Sequence, residues 1–131
     1  MTGWVLDKSA AVKANEVPVS RQLSELAGNL YVCPVGELEQ LYSARSAADY
    51  EIRRQNIRSR YAIVDAPADV FLLALRLQRD LAHHHGMWHR IPIPDLLIAE
   101  TALYHDLGVV TVDSDFERIA EVRPLEVMRL G

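Results

Sequence analysis

The feature that most constrains this chain is an alternation. Short apolar runs of strand length take turns with longer stretches of helical periodicity from one end to the other. The runs at 4–6, 30–32, 61–64, 109–112 and 125–128 have strand length and composition, as in Leu30-Tyr31-Val32 and Val109-Val110-Thr111-Val112. Helical patterns occupy 9–14, 20–27, 34–44, 46–59, 67–84, 94–105 and 114–122. In the fifth of these, Val70, Phe71, Ala74, Leu75 and Leu77 set an apolar stripe at three- and four-residue steps. Gly28 and Gly108 each fall between a helical pattern and a strand, where a left-handed helix cap is expected. Strands separated by helices predict a mainly parallel sheet of about five strands, flanked by helices on both faces. Half of the 131 residues are apolar, enough for a core, and no repeat or linker interrupts them. One α/β domain over 1–131 is expected.

Charge excludes little. The net charge is −4, so any nucleic-acid binding must rely on a local basic patch rather than on the global field. The single cysteine, Cys33, lies in an apolar stretch, cannot form an internal disulfide and reads as a small buried hydrophobe. Met1-Thr2-Gly3-Trp4-Val5-Leu6-Asp7 lacks the pattern of a signal peptide. No apolar run approaches the roughly 20 residues of a membrane helix. A soluble, cytoplasmic protein without membrane association is expected.

The acids carry the functional signal. In open parallel sheets, ligands bind beyond the carboxyl ends of the strands. Asp7 directly follows the first apolar run, and Asp113 and Asp115 follow the fourth. Glu37 lies one turn into the helix after the second run, with Glu39 as a rival for its role, and Asp95 lies in the first turn of its own helix. Parallel strands would gather all of these at one edge of the sheet. Crowded carboxylates repel, by roughly 4 kcal/mol per pair at 4 Å and an effective dielectric near 20. They therefore take up protons or hold a cation. All-oxygen sites suit Mg²⁺ or Mn²⁺, which activate water and stabilise charge on a phosphodiester. Each acid also has a plainer role open to it. Asp95 suits a helix dipole, Asp113 suits an N-cap, and Glu37 suits a solvated first turn.

Four stretches in order resemble a PIN domain, and more narrowly a VapC-type toxin of the type II toxin–antitoxin systems. They are Val5-Leu6-Asp7-Lys8-Ser9-Ala10, Pro34-Val35-Gly36-Glu37-Leu38, Ile93-Pro94-Asp95-Leu96-Leu97-Ile98-Ala99 and Val110-Thr111-Val112-Asp113-Ser114-Asp115-Phe116. The resemblance implies a magnesium-dependent endoribonuclease that cleaves structured RNA such as transfer or ribosomal RNA. It implies Asp7, Glu37, Asp95 and Asp113 as the catalytic metal-binding acids, and Asp115 as a further acid beside the metal. Ser9 and Thr111 would support them through their hydroxyls. A homodimer and a cognate VapB-type antitoxin are implied as well.

Other features have two readings each. His83, His84 and His85 cannot all face one ion while helical. They read as a solvated helix end, or with Trp88 as a loop touching RNA near the acids. Arg45, Arg53, Arg54, Arg58 and Arg60, joined by Arg76 and Arg79, suit either phosphate contacts or a helix face with ion pairs to Asp49 and Glu51. Val12, Leu23, Leu26, Leu38, Leu41 and Tyr42 suit either the core or a groove for a partner helix. Two other functions compete with a nuclease. A phosphotransfer domain would need a lysine at a later strand end, and no lysine follows Lys13. A PIN-like binding module without catalysis would be favoured by missing acids, and none is missing.

Overall fold

The computed structural model of the protein describes residues 3–84 and 86–131; the readings that involve Met1, Thr2 and His85 lie outside these. Five strands form one sheet: β1 (Trp4–Leu6), β2 (Leu30–Val32), β3 (Ala62–Ile63), β4 (Gly108–Thr111) and β5 (Val127–Arg129). The spatial order is β3-β2-β1-β4-β5 and every neighbouring pair is parallel. The chain thus builds outward from β1 to one edge, then crosses back to lay β4 on the other side of β1. That reversal makes the gap between β1 and β4 the switch point of the sheet, where an open α/β fold leaves a crevice. Leu6 stands opposite Val110 in this pair, so Asp7 and the residues after Thr111 leave the sheet at nearly the same level.

Helices supply the crossovers: α1 (Lys8–Val12), α2 (Val17–Glu25), α3 (Pro34–Tyr42), α4 (Ala47–Arg60), α5 (Val70–His83), α6 (Ile93–Tyr104) and α7 (Asp115–Ile119). Strand side chains alternate between two cores, as the pleat requires. Val5 and Val109 pack with α5, α6 and α7 through Leu77, Leu81, Ile98 and Phe116. Leu6, Val32 and Val110 pack with α1 to α4 through Ala10, Leu23, Leu41 and Ile57. Helix α6 is buried on every side, from Leu96 to Ala102. A central helix packed all round in this way fixes its first turn firmly, and that turn carries Asp95.

Three differences from the sequence reading have local causes. Gly108 is no helix cap: the left-handed residue before β4 is Asp106, with φ 57°. Gly108 is itself a strand residue, and a Cβ there would lie 2.6 Å from the Trp4 ring. Helix α2 begins three residues earlier than periodicity suggests, because Pro18 starts it well. Strand β3 shrinks to two residues at the sheet edge. Gly28 is left-handed, at φ 89°, but lies two residues past Leu26, which is the C-cap of α2.

Candidate metal centre

Asp7 ends β1 and caps α1: its Oδ1 accepts the Ala10 amide at 3.0 Å. It is 3% exposed. Two hydroxyls hold it further. Ser9 Oγ donates to Oδ1 at 2.8 Å, and Thr111 Oγ1 donates to Oδ2 at 2.9 Å. The backbone leaving β4 orients both, since the Val112 amide donates to Ser9 Oγ at 3.1 Å and the Asp113 amide to Thr111 Oγ1 at 3.0 Å. Each hydroxyl therefore accepts from the main chain and turns its own proton toward Asp7. Both side chains that sequence placed in support of the acids do touch the carboxylate.

The acids share one field. Burial raises Asp7 above the usual carboxylate range, the Asp113 charge adds to this, and the hydrogen bonds oppose it. Asp95, in the first turn of α6, is pushed up to about 7, first by burial and then by the charges of Asp7, Asp115, Glu39 and Asp113. The charges of five carboxylates thus act on one another near the ends of β1 and β4. Asp113 is exposed and does not cap α7, whose N-cap is Ser114. Asp115 opens α7 with Arg118 3.8 Å away. Asp7 and Asp95 have no ion-pair partner among the described residues.

Glu37 is placed differently from the other acids named from sequence. It is 8% exposed, yet both its oxygens are taken by Arg58: Nε to Oε2 and Nη2 to Oε1, each at 3.0 Å. Such a two-pronged pair is geometrically specific and engages both oxygens of Glu37 at once. Glu39, its rival, is the glutamate whose charge bears on Asp95. Burial and Asp7 raise Glu39, and Lys8 pulls it back. The two glutamates sit about 200° apart around α3, so only one can face the acids. Arg58 was the residue sequence reasoning missed. Its place in a basic run hid a partner 21 positions away.

The donor set suits a hard cation. An all-carboxylate donor set favours Mg²⁺ or Mn²⁺ over zinc or copper. No group of three or more His, Cys, Asp or Glu among the described residues closes tightly enough to hold an ion by itself. That openness agrees with Mg²⁺ chemistry, in which one or two carboxylates bind and several waters stay on the ion. Among the described residues the histidines form no rival site. His83 is the exposed end of α5, and His84 stacks on Trp88 with ring centroids 4.5 Å apart. Trp88, Arg90 and Arg118 share a small recess with Asp115, beside the acids.

Among the remaining basic residues, Arg53 pairs with Asp49 at 3.2 Å, the helix-face alternative foreseen for it. No helix among the described residues is long and apolar enough to cross a membrane.

Comparisons with known proteins agree with this geometry. The family model for the PIN domain matches residues 5–122. Ribonuclease VapC17 of Mycobacterium tuberculosis is 54% identical over 127 residues, covering 95% of this chain and 92% of that protein. Ribonuclease VapC21 of the same species is 36% identical over 129 residues, covering 95% of this chain and 93% of its own length. Among solved structures, VapBC2 from Rickettsia felis bound to a promoter DNA fragment shares the fold with a TM-score of 0.78. Its identity is 23% and the match covers 98% of each chain.

Proposed function

Because the chain belongs to the PIN-domain family, we propose that it is a VapC-type toxin: a Mg²⁺- or Mn²⁺-dependent endoribonuclease acting on structured RNA such as transfer or ribosomal RNA. The observation that carries this reading is the crowding of Asp7, Asp95, Asp113, Asp115 and Glu39 at the switch point between β1 and β4. The names of the relatives support ribonuclease activity, since both are called ribonucleases. The likeness to VapBC complexes supports a VapB-type antitoxin as partner. The homodimer belongs to the same reading.

Asp7, Asp95, Asp113 and Glu39 would hold the ion between them, one or two directly and the others through its waters, with Asp115 beside them. Glu37 would instead brace α3 against α4 through Arg58, in place of the metal role that the resemblance suggested for it. When bound, the ion would supply an activated water and offset charge on the attacked phosphodiester. Asp7 comes to this task in a fixed orientation, because Ser9, Thr111 and the Ala10 amide leave its carboxylate little freedom. Asp95 holds a proton to near neutral pH in the cation-free protein. Loading the site would displace that proton, since a carboxylate must be ionised to ligate.

The test is cleavage of a small-RNA pool with Mg²⁺ or Mn²⁺, beside chelator and Asp7→Asn controls. Discrete fragments that require both the ion and Asp7 are expected. Fragments that persist in folded Asp7→Asn protein would sink the assigned site.

A further inference from the structure

A second feature lies on the α1–α3–α4 side of the acids: a recess of about 310 Å³, with Lys8, Gln40, Arg53, Asn56, Arg60 and Tyr61 among its walls. In a protein of net charge −4, its lining contains no aspartate or glutamate. Lys8 and Arg60 make no ion pair among the described residues. Arg53 is committed to Asp49 and to Ser43 Oγ, the latter at 3.0 Å, and so shapes the wall rather than offering a charge. The Gln40 amide nitrogen is buried with no acceptor. A buried donor without a partner is costly, so it marks a place where an acceptor is wanted. The recess also touches the acid centre along the chain. Lys8 follows Asp7, Gln40 follows Glu39, and the Lys8 charge acts on Glu39.

We propose that this recess seats a nucleotide flanking the scissile phosphodiester of an unpaired RNA segment. Lys8 and Arg60 meet its phosphate, and Asn56 and Gln40 meet the edge of its base. The proposal rests on the ribonuclease reading above. The chemistry favours a nucleotide over a peptide for two reasons. Unpaired cations with no acid among them suit a phosphate backbone. Amide side chains that both donate and accept suit a base edge, and the Tyr61 ring offers a face for stacking. The volume sits at the lower end of small-ligand pockets, about 300–1,000 Å³. A peptide of a protein partner is the other occupant to be tested.

Two measurements separate this proposal from the reading beneath it. In the first, wild type and Asn56→Ala cut a randomised RNA library with Mn²⁺. The wild type should prefer one base at a position next to the cut, and Asn56→Ala should relax that preference by about tenfold. In the second, Asp7→Asn protein binds an end-labelled, mixed-sequence RNA oligonucleotide in chelator. Adding Arg60→Ala or Lys8→Ala should weaken binding and lower the salt slope by about one. All three recess residues are exposed, and an unchanged thermal midpoint checks that each variant folds. Recess-dependent binding without any cleavage by wild type would sink the ribonuclease reading and leave the recess as an RNA site. Cleavage and binding indifferent to all three substitutions would overturn the proposal. So would loss of VapB-type antitoxin binding with RNA binding intact, which would give the recess to a protein partner.

Discussion

Two sets of buried acids on this fold have opposite surroundings. Glu37 and Glu100 are 8% and 6% exposed, and each faces an arginine. Arg58 grips both oxygens of Glu37, and Arg123 reaches Glu100 at 3.5 Å while also holding Asp80 at 2.8 Å. Asp7 is also buried and Asp95 half-buried, but their neighbours are acids. Burial and like charges push Asp95 up to about 7. Burial also raises Glu100, yet there the Arg123 charge opposes it. The difference teaches what each set is for. A buried acid with its own arginine has its charge offset within the chain and ties helices together, even where, as at Glu100 Oε2, no hydrogen bond is made. Acids that repel one another keep a charge the chain does not offset, which the cation proposed above would offset.

The comparison breaks most sharply on activity. Asp7→Asn should lower RNA cleavage by about a thousandfold or more, as loss of an ion-holding group worth several kcal/mol requires. Glu37→Gln should leave the rate nearly unchanged. Glu39→Gln lies between these, with a loss of about 10- to 100-fold in metal affinity measured by Mn²⁺ titration. Equal effects of the two glutamate substitutions would erase the distinction drawn between them.

Stability should show the reverse ordering. Arg123→Ala leaves Glu100 buried without its cation, and a cost of about 3 kcal/mol is expected in chemical denaturation. The cost should be largest above the ordinary carboxylate range, where the unfolded chain ionises Glu100 and the fold resists it. A smaller effect of opposite sign belongs to Asp95. Its ordinary value is 3.8 and its value in the fold is about 7, so the native state binds the extra proton between them. Stability of the cation-free protein is therefore full below about pH 4 and falls as pH rises through 7. Asp95→Asn should abolish that decline and leave the cation-free protein more stable than wild type at pH 8, by roughly 1–3 kcal/mol. Mg²⁺ should correspondingly raise the melting temperature more at pH 8 than at pH 5.

Much of the acid centre was legible because parallel strands leave no choice about where their ends lie. Asp7, Asp113 and Asp115 follow β1 and β4 in sequence, and the pairing of Leu6 with Val110 brings them together. Asp95 was legible from Pro94 and the apolar run behind it, which fix the start of α6. The choice between Glu37 and Glu39 was not. Both lie in the first turns of α3, and which faces the sheet edge depends on how Leu41 seats that helix against the core. Arg58 reaches Glu37 from a helix far along the chain, a contact that periodicity cannot reveal. Gly108 was misread for a related reason: its role is room for the Trp4 ring, set by the neighbouring strand rather than by its own turn. The recess between α1, α3 and α4 has no sequence motif at all, because its walls come from three separate helices.

The most direct test is to count the protons released when the acid centre takes up its ion. Calorimetric titration of Mn²⁺ at pH 7, in two buffers of different ionisation enthalpy, measures both affinity and proton release. With Asp95 about half protonated at that pH, binding should release roughly half a proton per ion, falling toward zero in Asp95→Asn. Binding without proton release in the wild type, or no binding at all by folded protein, would contradict the claim that a cation completes these acids.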